Sequence, residues 1–362
     1  MTLSKSCANA RPNKRVSLKM LADYVGLATP TVCLVINRSP AADRIPEPTK
    51  NLIFEAAHKL HYRPNLYARS LSSPRSCTIG VMVPDVSEDN AAMLLSGIED
   101  YLLKRGYLCL VASHRYCDDL MDEHSQLLID RCVDGIIGVD TPWNQTPSMP
   151  VATVSCRGVG RNVTNVRLDH DLAAQLVLQH LYELGHRKLA FIKGYGFSSD
   201  TELRWKAIRS SAQRLGLPIS RDCVGQLLGD RSICIAGYQA TRRLLSTGEP
   251  FTALFTFNDI AAIAAIRAIR EAGLQVPGDI SVVGFDDIAS ASFQDPSLTA
   301  VRQPFMEMGM LAAETVLRQI SHDNSVFPPR SIVVKSELMV RGSTAPMRIR
   351  KIISASRRRR SA

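Results

Sequence analysis

The chain has 362 residues, 45% of them hydrophobic and 22% charged, with a net charge of +10. That length allows two or three domains with a sizeable buried core; the apolar fraction excludes wholesale disorder, and no run of 18 consecutive apolar residues offers a helical membrane span. The charge is divided unevenly: residues 1–75 hold 12 Lys/Arg against 4 Asp/Glu, residues 342–362 hold 7 basic residues and no acid, and residues 76–341 hold 25 against 30. A basic end is the electrostatic footprint of nucleic-acid binding, and equally that of a solvated surface or tail.

The segment MTLSKSCANARPNKR is basic without an apolar core and does not read as a secretory signal. A short amphipathic helix is expected over Leu18–Val25, followed by Gly26, and a second from about Thr29 to Ile36. Helix, glycine-containing turn and helix is the layout of a helix-turn-helix. A third helix is expected from about Thr49 to His61, with Leu52, Ile53, Ala56, Ala57 and Leu60 at helical spacing. Pro64 stops it, and Asn65 is a good N-cap for a short helix over Leu66–Leu71.

From Thr78 the pattern changes to strand-helix alternation. Strands are expected at Thr78–Val83, Leu108–Ser113, Ile136–Val139, Val151–Ser155, Leu189–Ile192, Ala253–Thr256 and Ser281–Phe285. Helices are expected at Ala91–Arg105, Leu120–Arg131, Leu172–Leu184, Leu203–Leu215 and Ile260–Ala272. Such alternation argues for parallel sheets covered by helices on both faces. Its extent exceeds one core, so two similar lobes are expected, with ligands bound beyond the carboxyl ends of the strands.

Chemistry-bearing motifs are sparse. The nine cysteines are scattered without a CxxC, which suits reduced thiols in a cytoplasm. The eight histidines show no metal spacing, and neither a phosphate-cradling GxxxxGK loop, nor HExxH, nor GxSxG occurs. Gly194-Tyr195-Gly196 follows a strand, but Ser199 stands where a dinucleotide fingerprint needs its third glycine. No catalytic residue, cofactor or metal is expected.

Residues 16–37 (VSLKMLADYVGLATPTVCLVIN), 62–71 (YRPNLYARSL), 78–87 (TIGVMVPDVS), 131–138 (RCVDGIIG), 180–192 (HLYELGHRKLAFI), 257–288 (FNDIAAIAAIRAIREAGLQVPGDISVVGFDDI) and 296–304 (PSLTAVRQP) resemble, in order, the signatures of the LacI/GalR regulators. The resemblance covers about 16–345. It implies a small all-α helix-turn-helix head joined to an α/β effector domain of two doubly wound parallel-sheet lobes, of the periplasmic-binding-protein type. The head would span 16–72, with a hinge helix at 65–71. The effector and dimerisation domain would span 78–345, its N-lobe 78–168 and 304–331 and its C-lobe 169–303 and 332–345. Residues 1–15 and 346–362 would be basic flexible ends; the second adds nonspecific phosphate affinity or has no role.

By that resemblance Thr29, Pro30 and Leu34 read bases in the major groove, with Thr31 and Asn37 nearer the DNA backbone. Three departures matter: Ala28 stands where a capping Ser is usual, Cys33 replaces a Ser, and Leu34 replaces a common Arg. Thr29 is expected to take over as N-cap, with Pro30 at the first helical position. Thr, Pro and Leu cannot make the bidentate guanine contact of Arg, so contacts to thymine methyls are expected. In the hinge, Asn65, Ala68 and Arg69 match minor-groove positions, and Leu71 matches a leucine that wedges a base step apart.

The effector residues implied are Asp85, Asp169, Arg204, Asn258 and Asp286. Carboxylates, an amide and a guanidinium converging on a cleft suit a polyhydroxylated ligand, a sugar or sugar derivative. The chain departs from the family here too. Val86-Ser87-Glu88-Asp89-Asn90-Ala91-Ala92 lacks the usual pocket aromatics, and Cys156-Arg157 replaces an Asp-Arg pair. A regulator that has lost its effector therefore remains open.

The function implied is a sequence-specific DNA-binding regulator, a repressor, acting in the cytoplasm as a homodimer on a pseudo-palindromic double-stranded operator. The C-terminal residues contain no leucine heptads of the kind that make tetramers in the family. A two-lobed solute-binding protein is the alternative, and the DNA-binding head weighs against it. A nicotinamide-dependent enzyme is disfavoured by the missing glycine fingerprint. No membrane partner is expected.

Overall fold

The computed structural model describes residues 16–37, 39–62, 75–143, 147–156, 158–160, 162–229, 232–321 and 330–347. The expected hinge helix, with Asn65, Ala68, Arg69 and Leu71, lies outside the described residues, as do Arg157 and the terminal segments 1–15 and 348–362. The chain forms two compact units, 1–76 and 77–362.

The first unit contains α1 (Leu18–Val25), α2 (Thr29–Ile36), a 3-10 turn (Pro40–Arg44) and α3 (Glu47–Lys59). Ser17 caps α1, its side chain accepting from the Met20 amide at 3.2 Å. Gly26 ends it in the left-handed conformation, φ 69°, where a side chain would be strained. The turn brings one face of each helix onto a single core: Leu21, Ala22, Val32, Val35, Ala42, Ile53 and Ala56 are buried. The cap expected on α2 differs. Ala28 is the N-cap and supplies no side-chain bond, while Thr29 is already helical and Pro30 lies in the first turn. The Ala28 carbonyl accepts from the Val32 amide at 3.2 Å, so the helix starts one residue earlier than a Thr29 cap would allow.

The second unit runs β1 (Thr78–Val83), α4 (Asp89–Leu103), β2 (Leu108–Ser113), α5 (Asp118–Asp130), β3 (Gly135–Val139), β4 (Val151–Val154) and β5 (Val163–Leu168). It continues with α6 (His170–Glu183), β6 (Leu189–Lys193), α7 (Ser199–Arg214), β7 (Val224–Gln226), α8 (Ile233–Ser246), β8 (Ala253–Thr256) and α9 (Asp259–Glu271). Then come β9 (Ser281–Asp286), α10 (Ala289–Phe293), β10 (Thr299–Arg302), α11 (Phe305–Ile320), β11 (Ser331–Val334) and β12 (Glu337–Met339). Two six-stranded sheets result, in the orders β11-β5-β4-β3-β1-β2 and β12-β10-β9-β8-β6-β7. All pairings are parallel except β10 with β12. The central strands are buried on both faces, as β1, β3, β4, β8 and β9 show, which is why they read as continuous apolar runs.

The chain crosses between the lobes three times: after Leu168, between Arg302 and Phe305, and between Val334 and Glu337. The last crossing falls three residues later than the 331/332 boundary expected. Ser331–Val334 pairs in register with Asn165–Leu168 and so completes the first sheet before the chain leaves. The Asp169 amide donates to the Val334 carbonyl at 2.8 Å, tying two of the crossings together.

In the first lobe α4 and α11 cross at van der Waals distance through glycines. A Cβ on Gly97 would lie 2.1 Å from the Met306 carbonyl oxygen, and one on Gly309 2.3 Å from that of Leu94. Among the described residues no single helix is long and apolar enough to cross a membrane, and the eight described cysteines are all free thiols.

Candidate functional site

The loops leaving the carboxyl ends of the strands in both sheets surround a cavity of about 510 Å3, within the usual size of a small-molecule site. Pro84, Asp85 and Glu88 follow β1; Arg115 and Tyr116 follow β2; Asp140 follows β3. The second lobe adds Tyr195, Phe197, Asp200 and Arg204 after β6, Phe257 and Asn258 after β8, and Asp286 at the end of β9.

Four of the five expected effector residues therefore share one cavity: Asp85, Arg204, Asn258 and Asp286. Asp169 is not in its wall. Its carboxylate caps α6, accepting from the Leu172 amide at 2.9 Å, and its backbone sits at the interlobe crossing. The local role of an N-cap accounts for an aspartate there.

Arg204 is the centre of the site. It is 4% exposed, donates to the Phe257 carbonyl and lies 3.6 Å from the Asp200 carboxylate. Its guanidinium carbon stands 3.5 Å from the Phe285 ring centroid and 4.4 Å from that of Phe257, the geometry of stacked cation–π contacts. Burial lowers its pKa, and Asp200, Asp286 and Asp140 oppose that by attraction. Asp200 also faces His170, Nε2 to Oδ1 at 3.3 Å.

The carboxyls are shifted the other way. Asp286 is pushed up to about 7, chiefly by burial, although Arg204 and an amide bond from Gln303 (2.6 Å) pull it down. Asp140 rises to about 7 through burial and the nearby Asp200. Glu88 rises to about 7 through burial and Asp85. Asp85 itself is lowered, because the Ser87 amide and hydroxyl donate to it at 2.9 and 2.8 Å. Behind the wall, Asp259 reaches about 8 through burial and the charge of Asp286, and it accepts from the Ile288 amide at 2.8 Å. Asn258 spends its carbonyl oxygen capping α9, accepting from Ala261 at 2.9 Å.

The aromatics missing from residues 86–92 are replaced from elsewhere. Tyr195 stacks on Phe197 with centroids 5.0 Å apart and planes 8° from parallel, and Tyr116 of the opposite lobe meets Phe197 at 4.7 Å. With Phe257 they give the cavity an apolar wall. Sequence reasoning missed Tyr116, Asp140, Phe197, Asp200 and Gln303. For Asp140 a signal existed: it ends the apolar run 135–139, at the carboxyl end of a strand.

In the head, α2 leaves Pro30 exposed and Thr29, Thr31, Leu34 and Asn37 partly exposed. Leu34 also packs at the edge of the head core. Asn37 closes the helix, its side-chain Nδ2 donating to the Cys33 sulfur at 3.2 Å.

Residues 178–344 match the model of a periplasmic binding protein-like domain. The chain is 30% identical over 337 residues to the HTH-type transcriptional regulator DegA of Bacillus subtilis, across 90% of this chain and 97% of that protein. The chain belongs to the LacI/GalR family of transcriptional regulators. A solved transcriptional regulator CelR–cellobiose complex aligns with a TM-score of 0.67 at 27% identity, over 91% of this chain and 100% of that one. The lac repressor dimer bound to operator and an anti-inducer matches in fold, with a TM-score of 0.81 at 24% identity over 92% and 100%. This LacI-family member is thus a DNA-binding repressor with a small-molecule effector domain, and the interlobe cavity is the concave site that domain offers.

Proposed function

We propose that the protein is a cytoplasmic homodimer that represses transcription from a pseudo-palindromic operator and is switched by a small hydroxylated effector, a sugar or sugar derivative, bound between its lobes. One observation supports this above the others: Asp85, Arg204, Asn258 and Asp286, distant in sequence, line one cavity with polar groups and an aromatic wall. The CelR–cellobiose complex is a relative with a sugar ligand. The aromatic wall also speaks against a regulator that has lost its effector.

Thr29, Pro30, Thr31, Leu34 and Asn37 would meet the DNA from α2, with the hinge residues Asn65, Ala68, Arg69 and Leu71 in the minor groove. One helix-turn-helix makes few contacts, so a two-fold dimer with matched half-sites is needed for affinity. The first lobe presents apolar side chains on its edge strand and on the crossing helix pair: Leu103, Leu108, Leu110, Met306 and Met310 are each at least 40% exposed. Exposed apolar surface of that kind suits a self-complementary interface. An effector would act by binding the open and closed forms of the lobes with different affinity.

The test uses the intact chain and one lacking residues 1–72. The intact chain should be retained on operator-length duplex DNA and eluted by salt, and the truncated chain should flow through. Retention of the truncated chain up to the same salt concentration as the intact one, with or without the basic residues 346–362, would refute the DNA-binding role of the head. Light scattering at micromolar concentration should give a dimer, and a tetramer or monomer would refute the assembly.

A further inference from the structure

The polar groups of the cavity do not suit a neutral sugar alone. Its wall carries six acidic side chains, Asp85, Glu88, Asp89, Asp140, Asp200 and Asp286, against two basic ones, Arg115 and Arg204. Most of the Arg204 guanidinium is committed to the protein: it serves Asp200 and the Phe257 carbonyl, and both ring contacts cover its faces, while Nε lacks a partner. An anionic ligand would therefore meet an excess of carboxylates.

The acids come from both walls, Asp85, Glu88 and Asp140 from the first lobe and Asp200 and Asp286 from the second. They sense one another across the gap, since Asp200 raises Asp140 and Glu88 raises Asp286. Closing the lobes brings like charges together unless a positive charge lies between them. A metal ion is not that charge: among the described residues no group of three His, Cys, Asp or Glu is placed to hold one. The spread of the carboxyls suits an extended organic cation.

Two further observations fit such an occupant. Gln303 is 4% exposed and lines the cavity, and its Oε1 is buried with no hydrogen-bond partner. An amide oxygen only accepts, so it calls for a ligand donor. Arg204 Nε is also buried without a partner and calls for an acceptor such as a hydroxyl. The Tyr195–Phe197–Tyr116 wall offers π faces to a cation or to the apolar face of a sugar ring.

Resting on the reading of this cavity as the effector site, we propose that it selects a protonated organic amine over neutral sugars and over anions. The orphaned donor and acceptor favour an amino sugar over a polyamine. The ammonium sits between the carboxylates of the two lobes, with Glu88 and Asp140 on one side and Asp286 on the other. Lobe closure is then coupled to ligand charge.

The experiment is a thermal-shift and calorimetric titration of the full chain with D-glucosamine, spermidine, D-glucose, D-ribose and glucose 6-phosphate. D-glucosamine should bind and raise the melting temperature while D-glucose does not, and spermidine alone doing so would identify a polyamine source with the same ammonium chemistry. Glu88→Gln and Asp140→Asn should each weaken the amine about tenfold or more, the loss of one charge-assisted contact. Both should melt no lower than the parent without ligand, because each removes a like-charge repulsion. Equal binding of D-glucose or D-ribose overturns the inference and leaves a sugar-responsive regulator standing. Preferential binding of glucose 6-phosphate also overturns it. Silence from every probe overturns it too, while retention on DNA decides separately whether the regulator reading holds.

Discussion

Replacing Arg204 by methionine probes the electrostatics of the cleft most directly. Methionine keeps an unbranched stem against Phe257 and Phe285 but removes the cation. At the observed 3.6 Å from Asp200, and with an effective dielectric of about 20, the lost attraction is about 4–5 kcal/mol. Relief of the buried guanidinium offsets part of this, and Asp200, left facing only His170, adds to it. Removing one partner of a buried pair ordinarily costs about 3–5 kcal/mol, and that is the loss expected here at pH 8.

The pH dependence separates this mechanism from simple loss of packing. Asp286 and Asp140 are pushed up to about 7, so each binds its proton more tightly when folded than when unfolded. Their contribution to stability is full below about pH 4 and is lost as pH rises through about 7. Arg204 pulls both values down. Without it both carboxyls hold their protons to higher pH, and the loss continues above pH 7, at about 1.4 kcal/mol per carboxyl for each tenfold fall in proton concentration. The stability gap between parent and variant should therefore widen between pH 6 and pH 8. Urea unfolding followed by tryptophan fluorescence reads this cleanly, because Trp143 and Trp205 both lie in the effector domain. A gap that stays constant or narrows over that range would refute the electrostatic role.

Three other perturbations address the rest of the molecule. Gly309→Ala places a Cβ against the Leu94 carbonyl and should cost about 1–3 kcal/mol, a fall of roughly 2–4 °C per kcal/mol in the effector-domain melting temperature; an unchanged value would mean that the two helices separate easily. Ile53→Ala empties part of the seven-residue head core at about 2–5 kcal/mol, comparable with the whole stability of so small a unit. Operator binding should vanish while the main thermal transition stays in place, and a shift of that transition would show that the two units do not fold independently. Leu34→Arg supplies the guanidinium that α2 lacks, so sites selected from random duplexes should gain a guanine in each half-site; unchanged preferences would mean that residue 34 does not face the bases.

Where strands were expected, their ends were the most legible boundaries. Thr78–Val83, Leu108–Ser113 and Ala253–Thr256 begin and end where their apolar, β-branched runs do. Five helix starts, at Glu47, Asp89, Asp118, His170 and Ser199, were read two residues or more too late, and for one reason. Glu47, Asp89, Asp118, Asp171 and Asp200 are acidic first-turn residues, favoured by the helix dipole but invisible to a search for apolar periodicity. The short strands Val163–Leu168, Val224–Gln226, Thr299–Arg302, Ser331–Val334 and Glu337–Met339 escaped because their partners lie far along the chain or their sequences are short or mix polar and apolar residues, and the helices Ile233–Ser246 and Phe305–Ile320 were not expected either. In the site, Asp85, Asn258 and Asp286 could be found from the sequence because the motifs at 78–87 and 257–288 carry them. Tyr116 and Phe197 could not, because they meet only when two loops some 80 residues apart, on different lobes, converge.

That convergence bears on how the molecule divides its charge. The basic residues before position 76 accompany the base-reading head, and the excess acid of residues 76–341 is concentrated in part around the cavity. The acidic stretch 76–341 adds no phosphate affinity of its own, so retention on DNA depends on the basic ends of the chain. Three crossings join the lobes, and Gln303 and Asp169 stand in two of them. Gln303 also holds Asp286. A ligand that altered the charge balance at Asp286 would therefore act directly on a crossing segment, and any difference in its affinity between two arrangements of the lobes would be the free energy available to change DNA binding.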